Sequence, residues 1–247
     1  MTLAAQAFLQ ADWPAPPGVH ALQTTRLGGS SQGPYAGLNL ATHCGDDPAA
    51  VAQNRARLRQ ALALPAEPAW LNQVHGCAVA RPPLAGAPPA ADASVAEGGG
   101  QVCVVMTADC LPVLFCAEDG SAVAAAHAGW RGLAGGVLEA TVASLRRPPS
   151  RLLAWMGVAI GPEAFEVGPE VREAFVAQDA DAAACFREGR PGKLQADLYA
   201  LARLRLRRAG VERVYGGGLC SYSDAERFYS FRREPVSGRM ASLAWLA

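Results

Sequence analysis

Histidine is scarce in this 247-residue chain: four occur, and none belongs to an H-x-H pair. The familiar metal signatures are also missing. There is no H-E-x-x-H, no C-x-x-C and no H-x-E followed by P-C-x-x-C, which excludes the standard patterns of zinc proteases, zinc ribbons and zinc nucleobase deaminases. No stretch approaches the roughly 18 uninterrupted apolar residues of a membrane span. Neither sign of charge is in excess, with 22 Lys plus Arg against 22 Asp plus Glu. That balance removes the electrostatic reason to expect nucleic acid or an anionic membrane as partner. Internal repeats, Ser/Gly linkers and charge blocks are absent, so one domain over 1–247 is expected. The start, "MTLAAQAFLQADWPAPPGVH", lacks the basic n-region of a secretory signal. Seven cysteines form an odd, irregular set, and Cys103 and Cys116 sit in apolar runs where a reduced thiol packs as a small hydrophobe. A cytoplasmic protein with a large core and a small-molecule ligand is the expectation.

Turn signals and periodicity divide the chain into mixed elements. "TTRLGGSSQGPYAGLNL" suggests a strand running into a glycine-rich loop. In "DDPAAVAQNRARLRQAL", Asp47 is placed as N-cap, Pro48 as first helical residue and Val51, Leu58 and Leu62 as the apolar face, predicting a helix over 48–63. A strand is expected from Ala69 to Val79, interrupted by polar Asn72, Gln73 and His75, followed by a Pro/Ala/Gly-rich surface excursion to about residue 100. Strands over 101–106, 111–116 and 121–127, with turns at 107–110 and Asp119-Gly120, read as consecutive sheet elements. A helix ending in basic residues follows Gly132, where those residues complement the macrodipole. Then come a strand over 152–160, helices near 169–177 and 197–208, a strand near 211–215 and a terminal hairpin in "RFYSFRREPVSGRMASLAWL". Phe228, Tyr229 and Phe231, with Arg232 and Arg233, alternate as a half-buried strand would.

With so few histidines, each can be weighed. His127 ends the apolar run "AVAAAH", and Cys110 follows Asp109 at a turn between apolar strands. If those strands are neighbours in one sheet, Cys110 and His127 approach each other, as a nucleophile with its base or as part of a metal site. His75 in "NQVHG" adds a third candidate ligand. A set of His75, Cys110 and His127 leaves a fourth coordination position open, the catalytic arrangement of zinc. Buried structural cysteine with hydrogen-bonded histidine is the bland alternative. His20 and His43 read as structural, since the adjacent His43 and Cys44 point to opposite faces of an extended strand. Asp109 could orient a ligand or transfer a proton. Arg26 with Gly28 and Gly29 offers a guanidinium beside unhindered backbone donors, a phosphate cradle or an ordinary turn. Arg131 follows Trp130 at a helix start, where anions are stabilised and an indole can stack on a planar base, or cap the sheet.

The blocks "TTRLGGSSQGPYAGLNLATHCGDDP", "NQVHG", "TADCLPVLFC", "AAAHAGWRG", "AIGPEAFEVG" and "RFYSFRRE…GRMASLAWL" together resemble the YfiH or laccase-domain family from about residue 22 to the end. That family, long labelled polyphenol oxidase, is known for purine nucleoside phosphorylase activity with adenosine deaminase and methylthioadenosine phosphorylase activities. The resemblance implies a single-domain α+β sandwich of the αββα type. It also implies zinc held by His75, Cys110 and His127, and a purine nucleoside pocket beside the metal with phosphate as co-substrate. Cys110, His127 and Asp109 are then the candidate catalytic residues, and Arg26, Gly28, Asn72 and Arg131 the candidate substrate and phosphate contacts. Many members carry Cys after "IGP", where this chain has Glu163 and Ala164, so no role for that Cys transfers. Editing of peptidoglycan precursors, a second theme of the family, has no signature of its own here; a Cys110–His127 hydrolase acting there is the alternative reading. Copper phenol oxidation fits less well, because a laccase draws on about ten histidines in H-x-H pairs, although Cu²⁺ outbinds Zn²⁺ and is the alternative metal. A monomer or small homo-oligomer is expected.

Overall fold

The computed structural model describes residues 3–247. In chain order its strands are Phe8–Gln10 (β1), Val19–Thr24 (β2), Val79–Ala80 (β3), Ala93–Glu97 (β4), Val102–Thr107 (β5), Leu111–Ala117 (β6), Ala122–Ala128 (β7), Leu152–Met156 (β8), Glu166–Val167 (β9), Phe186–Glu188 (β10), Leu194–Ala196 (β11), Arg213–Gly216 (β12) and Met240–Leu246 (β13). Its α-helices are Pro48–Ala61 (α1), Trp130–Gly135 (α2), Val137–Ser144 (α3), Pro169–Val176 (α4) and Leu198–Arg208 (α5).

Two sheets carry the architecture. One is antiparallel, in the order β1-β2-β13-β5; the other is mixed, in the order β12-β8-β6-β7-β4-β3. Strands β6 and β7 are buried along their whole lengths, so each face needs a cover. Leu111, Val113 and Phe115 of β6 and the alternate alanines Ala122 to Ala128 of β7 pack with residues of α2 to α5. Leu114, Cys116, Val123 and Ala125 point the other way, onto Ala21, Cys103, Val105 and Ala244 of the antiparallel sheet. The outer face of that sheet, with Leu22, Val102, Val104 and Leu243, is closed by Leu58 of α1 together with Leu38, Leu40 and Trp70. The layers therefore run helix, sheet, sheet, helices in a single-domain α+β sandwich of the αββα type. A small sheet in the order β10-β11-β9 lies beside the second sheet's helical cover.

Local chemistry sets several boundaries. Asp47 caps α1 by accepting from the Ala49 N–H at 3.0 Å, with Pro48 at the first helical position, as its sequence predicts. The basic-ended helix after Gly132 is instead two helices, because Gly136 at φ +100° breaks the line between α2 and α3.

Other expectations are corrected by long-range structure. Residues 69–78 form turns and isolated bridges, and only Val79–Ala80 is strand. The supposed surface excursion contains β4, fully inside the mixed sheet between β7 and β3. The expected strand over 152–160 ends at Met156, and the expected terminal hairpin is one strand, β13. Finally, β5 is not a sheet neighbour of β6 and β7. Residues 108–110 carry the chain from one sheet to the other, which places Cys110 at the crossover.

Candidate metal centre

His127 sits near the end of β7, and β6 begins directly after Cys110. Antiparallel pairing sets Pro112 opposite His127 and Leu111 opposite Ala128, so the two functional side chains meet through this pairing rather than through β5. His75 arrives from the turn at 72–78, where its backbone is held in the left-handed region at φ +60°. The ligand atoms of His75, Cys110 and His127 all lie within 4.8 Å of one another. Cys110 Sγ is 3.9 Å from His75 Nε2, and the two imidazoles meet edge to face at 4.8 Å between ring centres.

The donor set suits a borderline cation. Bonds of about 2.3 Å to sulfur and about 2.0 Å to nitrogen place tetrahedral S and N ligands about 3.6 Å apart, close to the 3.9 Å observed. The cluster combines one anionic and two neutral donors. It is the one group of three or more potential ligands with this proximity among the described residues. His20 is stacked flat on Trp245, 4.9 Å away, and stands apart from the cluster.

A residue absent from the sequence reading organises the cluster. Asp92, fully buried just before β4, accepts from the N–H groups of Val74 at 3.1 Å, His75 at 2.9 Å and Gly76 at 2.7 Å. The same carboxylate accepts from His127 Nδ1 at 2.8 Å. Its one sequence signal is an aspartate placed directly ahead of the short alternating run "ASVAE".

Electrostatics couple Cys110 to His127. Burial alone would raise the Cys110 thiol, but the His127 imidazolium and hydrogen bonds from His127 and His75 outweigh it and hold the thiol down at about 6. Burial likewise opposes charge on His127, yet the facing Cys110 thiolate and the Asp92 hydrogen bond raise it to about 9. The metal-free site is therefore a thiolate–imidazolium pair at neutral pH. The depressed thiol adds stability as pH rises from about 6 towards its unfolded value of 9.0. The raised imidazole loses stability as pH climbs from its unfolded 6.5 to about 9. These slopes oppose, so the pair's contribution should be nearly flat between about 6.5 and 9, as urea melts of the chelated protein at several pH values would show. Iodoacetamide should label Cys110 of that chelated protein rapidly down to about pH 6 and slowly below it. A tenfold loss of rate per unit already below pH 8.5, an ordinary thiol's value, would contradict the pairing.

The cluster opens into a cavity of about 620 Å³. Trp130, Ile160, Phe165 and Phe231 supply apolar wall, and Arg131, Arg232, Arg239 and His43 supply cationic or hydrogen-bonding groups. Phe231 is 52% exposed at this wall. Arg131 stacks on Trp130 at 4.5 Å, and Arg239 lies over Phe231 at 5.6 Å. Burial, then the charges of Arg239 and Arg55, push the His43 imidazole below its usual value. His43 and Arg239 were not singled out for this cavity in the sequence; nothing local marks them, since they come from segments nearly 200 residues apart.

Asp109 also lines the cavity, with φ +85°. One carboxylate oxygen accepts from Ser221 Oγ at 2.6 Å and the other from the Arg232 N–H at 2.7 Å. Arg131 is in the cavity wall; Arg26, Gly28 and Asn72 are not. The Arg26 guanidinium donates to the Ala225 carbonyl at 3.1 Å and lies 4.7 Å from the Tyr229 ring centre. The glycines after it allow tight packing, since a Cβ on Gly29 would fall 2.0 Å from the Gly37 carbonyl oxygen. Asn72 exchanges backbone hydrogen bonds with Pro89 and Ala91, joining the His75 turn to the segment that carries Asp92.

Comparison with known proteins shows the family to which this fold belongs. The chain is 55% identical over 245 residues to a protein of Pseudomonas aeruginosa named a purine nucleoside phosphorylase, covering 97% of this chain and 98% of that one. It is 56% identical over 237 residues to the purine nucleoside phosphorylase YfiH of Escherichia coli, covering 95% and 96%. A crystal structure of a Neisseria meningitidis protein superposes with a TM-score of 0.94 at 54% identity, over 97% of this chain and 99% of that one. Residues 20–247 match the family described as multi-copper polyphenol oxidoreductase laccase, and the chain belongs to that laccase-domain family, which includes the YfiH proteins.

Proposed function

We propose that this chain is a zinc-dependent purine nucleoside phosphorylase that also deaminates adenosine. The observation carrying the proposal is the His75–Cys110–His127 cluster at the base of a cavity with aromatic walls and arginines; the names of the close relatives point the same way. Adenosine, inosine, guanosine and methylthioadenosine are the substrates in this reading, and copper is the competing metal. The protein works in the cytoplasm as a monomer or small homo-oligomer. No described helix is long and apolar enough to cross a membrane.

In phosphorolysis an oxygen of phosphate bonds to C1′ of the ribose, the bond from C1′ to the purine nitrogen breaks, and the base leaves with that electron pair and a proton. Charge separates at the ribose, so an anion held in place is the main requirement. Arg131, Arg232 and Arg239 are the cationic groups of the cavity wall that hold phosphate, while Trp130, Phe165 and Phe231 flank the planar base. Asp109, the candidate for proton transfer, accepts from Ser221 Oγ on one oxygen and from the Arg232 backbone N–H on the other, which leaves a lone pair on each oxygen for a proton. In deamination water adds at C6 of adenine and ammonia leaves. His75, Cys110 and His127 would hold zinc, which would supply a Lewis acid for that addition.

A second reading is favoured by one observation. Cys110, His127 and Asp92 also form a thiolate–imidazole–carboxylate series, the arrangement of a cysteine hydrolase acting on an amide in a cell-wall precursor. Chelation separates the two readings. Stripping with dipicolinate should abolish nucleoside turnover, and one equivalent of zinc should restore it. Hydrolysis of such an amide that survives chelation but is lost on alkylation of Cys110 would instead favour the hydrolase.

A further inference from the structure

We infer that Asp92 is the positioning residue of the centre: one carboxylate fixes the conformation of the His75 turn and the protonation pattern of His127, so that both histidines present metal-binding nitrogens before any metal arrives. The inference rests on the metal-centre reading above and adds a residue to it.

The carboxylate is buried and saturated. One oxygen accepts from the His75 N–H and His127 Nδ1, the other from the Val74 and Gly76 N–H groups. Three of these donors are consecutive backbone amides, and pointing all of them at one group curls the chain into the left-handed conformation recorded at His75. A non-glycine residue adopts that region only where its surroundings repay the cost. The fourth donor is a histidine ligand. With Nδ1–H committed to Asp92, Nε2 is the nitrogen left for the cluster, and the proton it shares with the Cys110 thiolate is the one a metal would displace. Such outer hydrogen bonds set the tautomer and ring orientation of metal-binding histidines. Asp92 is itself held at both ends of its backbone: its N–H donates to the Ala78 carbonyl at 3.0 Å and its carbonyl accepts from the His127 N–H at 2.7 Å. The turn carrying one ligand and the strand carrying another are thus joined through a single residue.

Asparagine at this position cannot reproduce the arrangement. It offers one oxygen for two oxygens' worth of donors, so its NH₂ must face either two backbone N–H groups or the pair that includes His127 Nδ1. In the second orientation His127 can accept only by moving its own proton to Nε2, which occupies the lone pair needed for the metal. The nearly isosteric Asp92→Asn change should therefore damage the metal site beyond any effect on folding.

Cobalt titration of the chelated full-length protein tests this, because tetrahedral thiolate-bound Co²⁺ has visible d–d and ultraviolet charge-transfer bands independent of turnover. For Asp92→Asn the expected results are binding weakened about 10- to 100-fold and altered d–d bands, in a protein that still gives a cooperative melt. Wild-type affinity within twofold together with wild-type bands would overturn the proposal. Should Asp92→Asn not fold, Asp92→Glu decides by the same titration: its displaced carboxylate should weaken cobalt binding at least fivefold, and unchanged binding would overturn the role. Wild-type protein that binds no cobalt would also overturn it. Wild-type protein that binds cobalt and zinc but turns over no nucleoside would remove the phosphorylase reading while the Asp92 comparison still stands.

Discussion

Cys110→Ala is expected to leave the protein folded, with zinc at trace occupancy and phosphate-dependent base release reduced at least about 10³-fold, or about 4 kcal/mol of lost barrier reduction. Cys110 supplies the single anionic donor of the cluster, and without it two neutral imidazoles remain. The substitution also deletes the charge that holds His127 protonated in the metal-free state. Folding should be little disturbed because Cys110 is half-buried at a crossover rather than in either core. Metal analysis gives the result its meaning: a nucleophilic Cys110 would also lose activity on truncation, but it would not determine zinc content. Full zinc occupancy in an inactive Cys110→Ala protein would contradict the ligand assignment.

Gly129→Ala is expected to weaken metal binding without replacing any member of the cluster. Gly129 has ordinary backbone angles, φ −62° and ψ 157°, so alanine adds no backbone strain. Its Cβ, however, would lie 2.8 Å from Cys110 Sγ and 3.0 Å from His75 Cδ2, inside van der Waals contact with two of the three ligand side chains. Both would have to retreat, and the first glycine of "HAGWRG" is thereby explained by the space its neighbours need. Gly129 is also the N-cap of α2, and replacing a glycine cap by alanine costs under about 1 kcal/mol. Zinc affinity should fall more than tenfold in competition with a chromogenic chelator, while the melting temperature of the metal-free protein moves by only a few degrees. Equal zinc affinity in the variant would show that the ligands are not packed as described.

The members of the His75–Cys110–His127 cluster were legible as candidates because histidine is rare in this chain and Cys110 stands at a turn between two apolar runs; each therefore carried chemical information out of proportion to its neighbours. The amphipathic pattern and Asp47 cap of α1 were equally readable, since they depend on local spacing alone. What brings the ligands together was not readable. A three-residue connection between apolar strands looks the same whether it turns a hairpin or crosses between sheets, so the step from β5 to β6 was hidden in residues 108–110. Asp92 was concealed by its proline- and glycine-rich approach, and its partners lie 16 to 18 residues before it and 35 after it. The terminal hairpin failed for another reason. Residues 217–239 are held by side chains instead of a ladder: Arg233 donates to the carbonyls of Ser221, Tyr222 and Phe228, and the Tyr229 hydroxyl to that of Tyr35. Alternating hydrophobicity does not report such anchoring. The same segment places Phe231, Arg232 and Arg239 in the cavity wall, so the least readable stretch supplies much of the site.

Zinc dependence and phosphorolysis are tested together by one experiment. Purified protein stripped of metal is titrated with zinc in the presence of adenosine and phosphate, while adenine, inosine, hypoxanthine and ribose-1-phosphate are followed by liquid chromatography. Free base and ribose-1-phosphate should appear in equal amounts, depend on phosphate, and rise to a plateau at one zinc per chain, with inosine accumulating when phosphate is withheld. Stoichiometric zinc uptake with no base, inosine or sugar phosphate formed would contradict the proposed function.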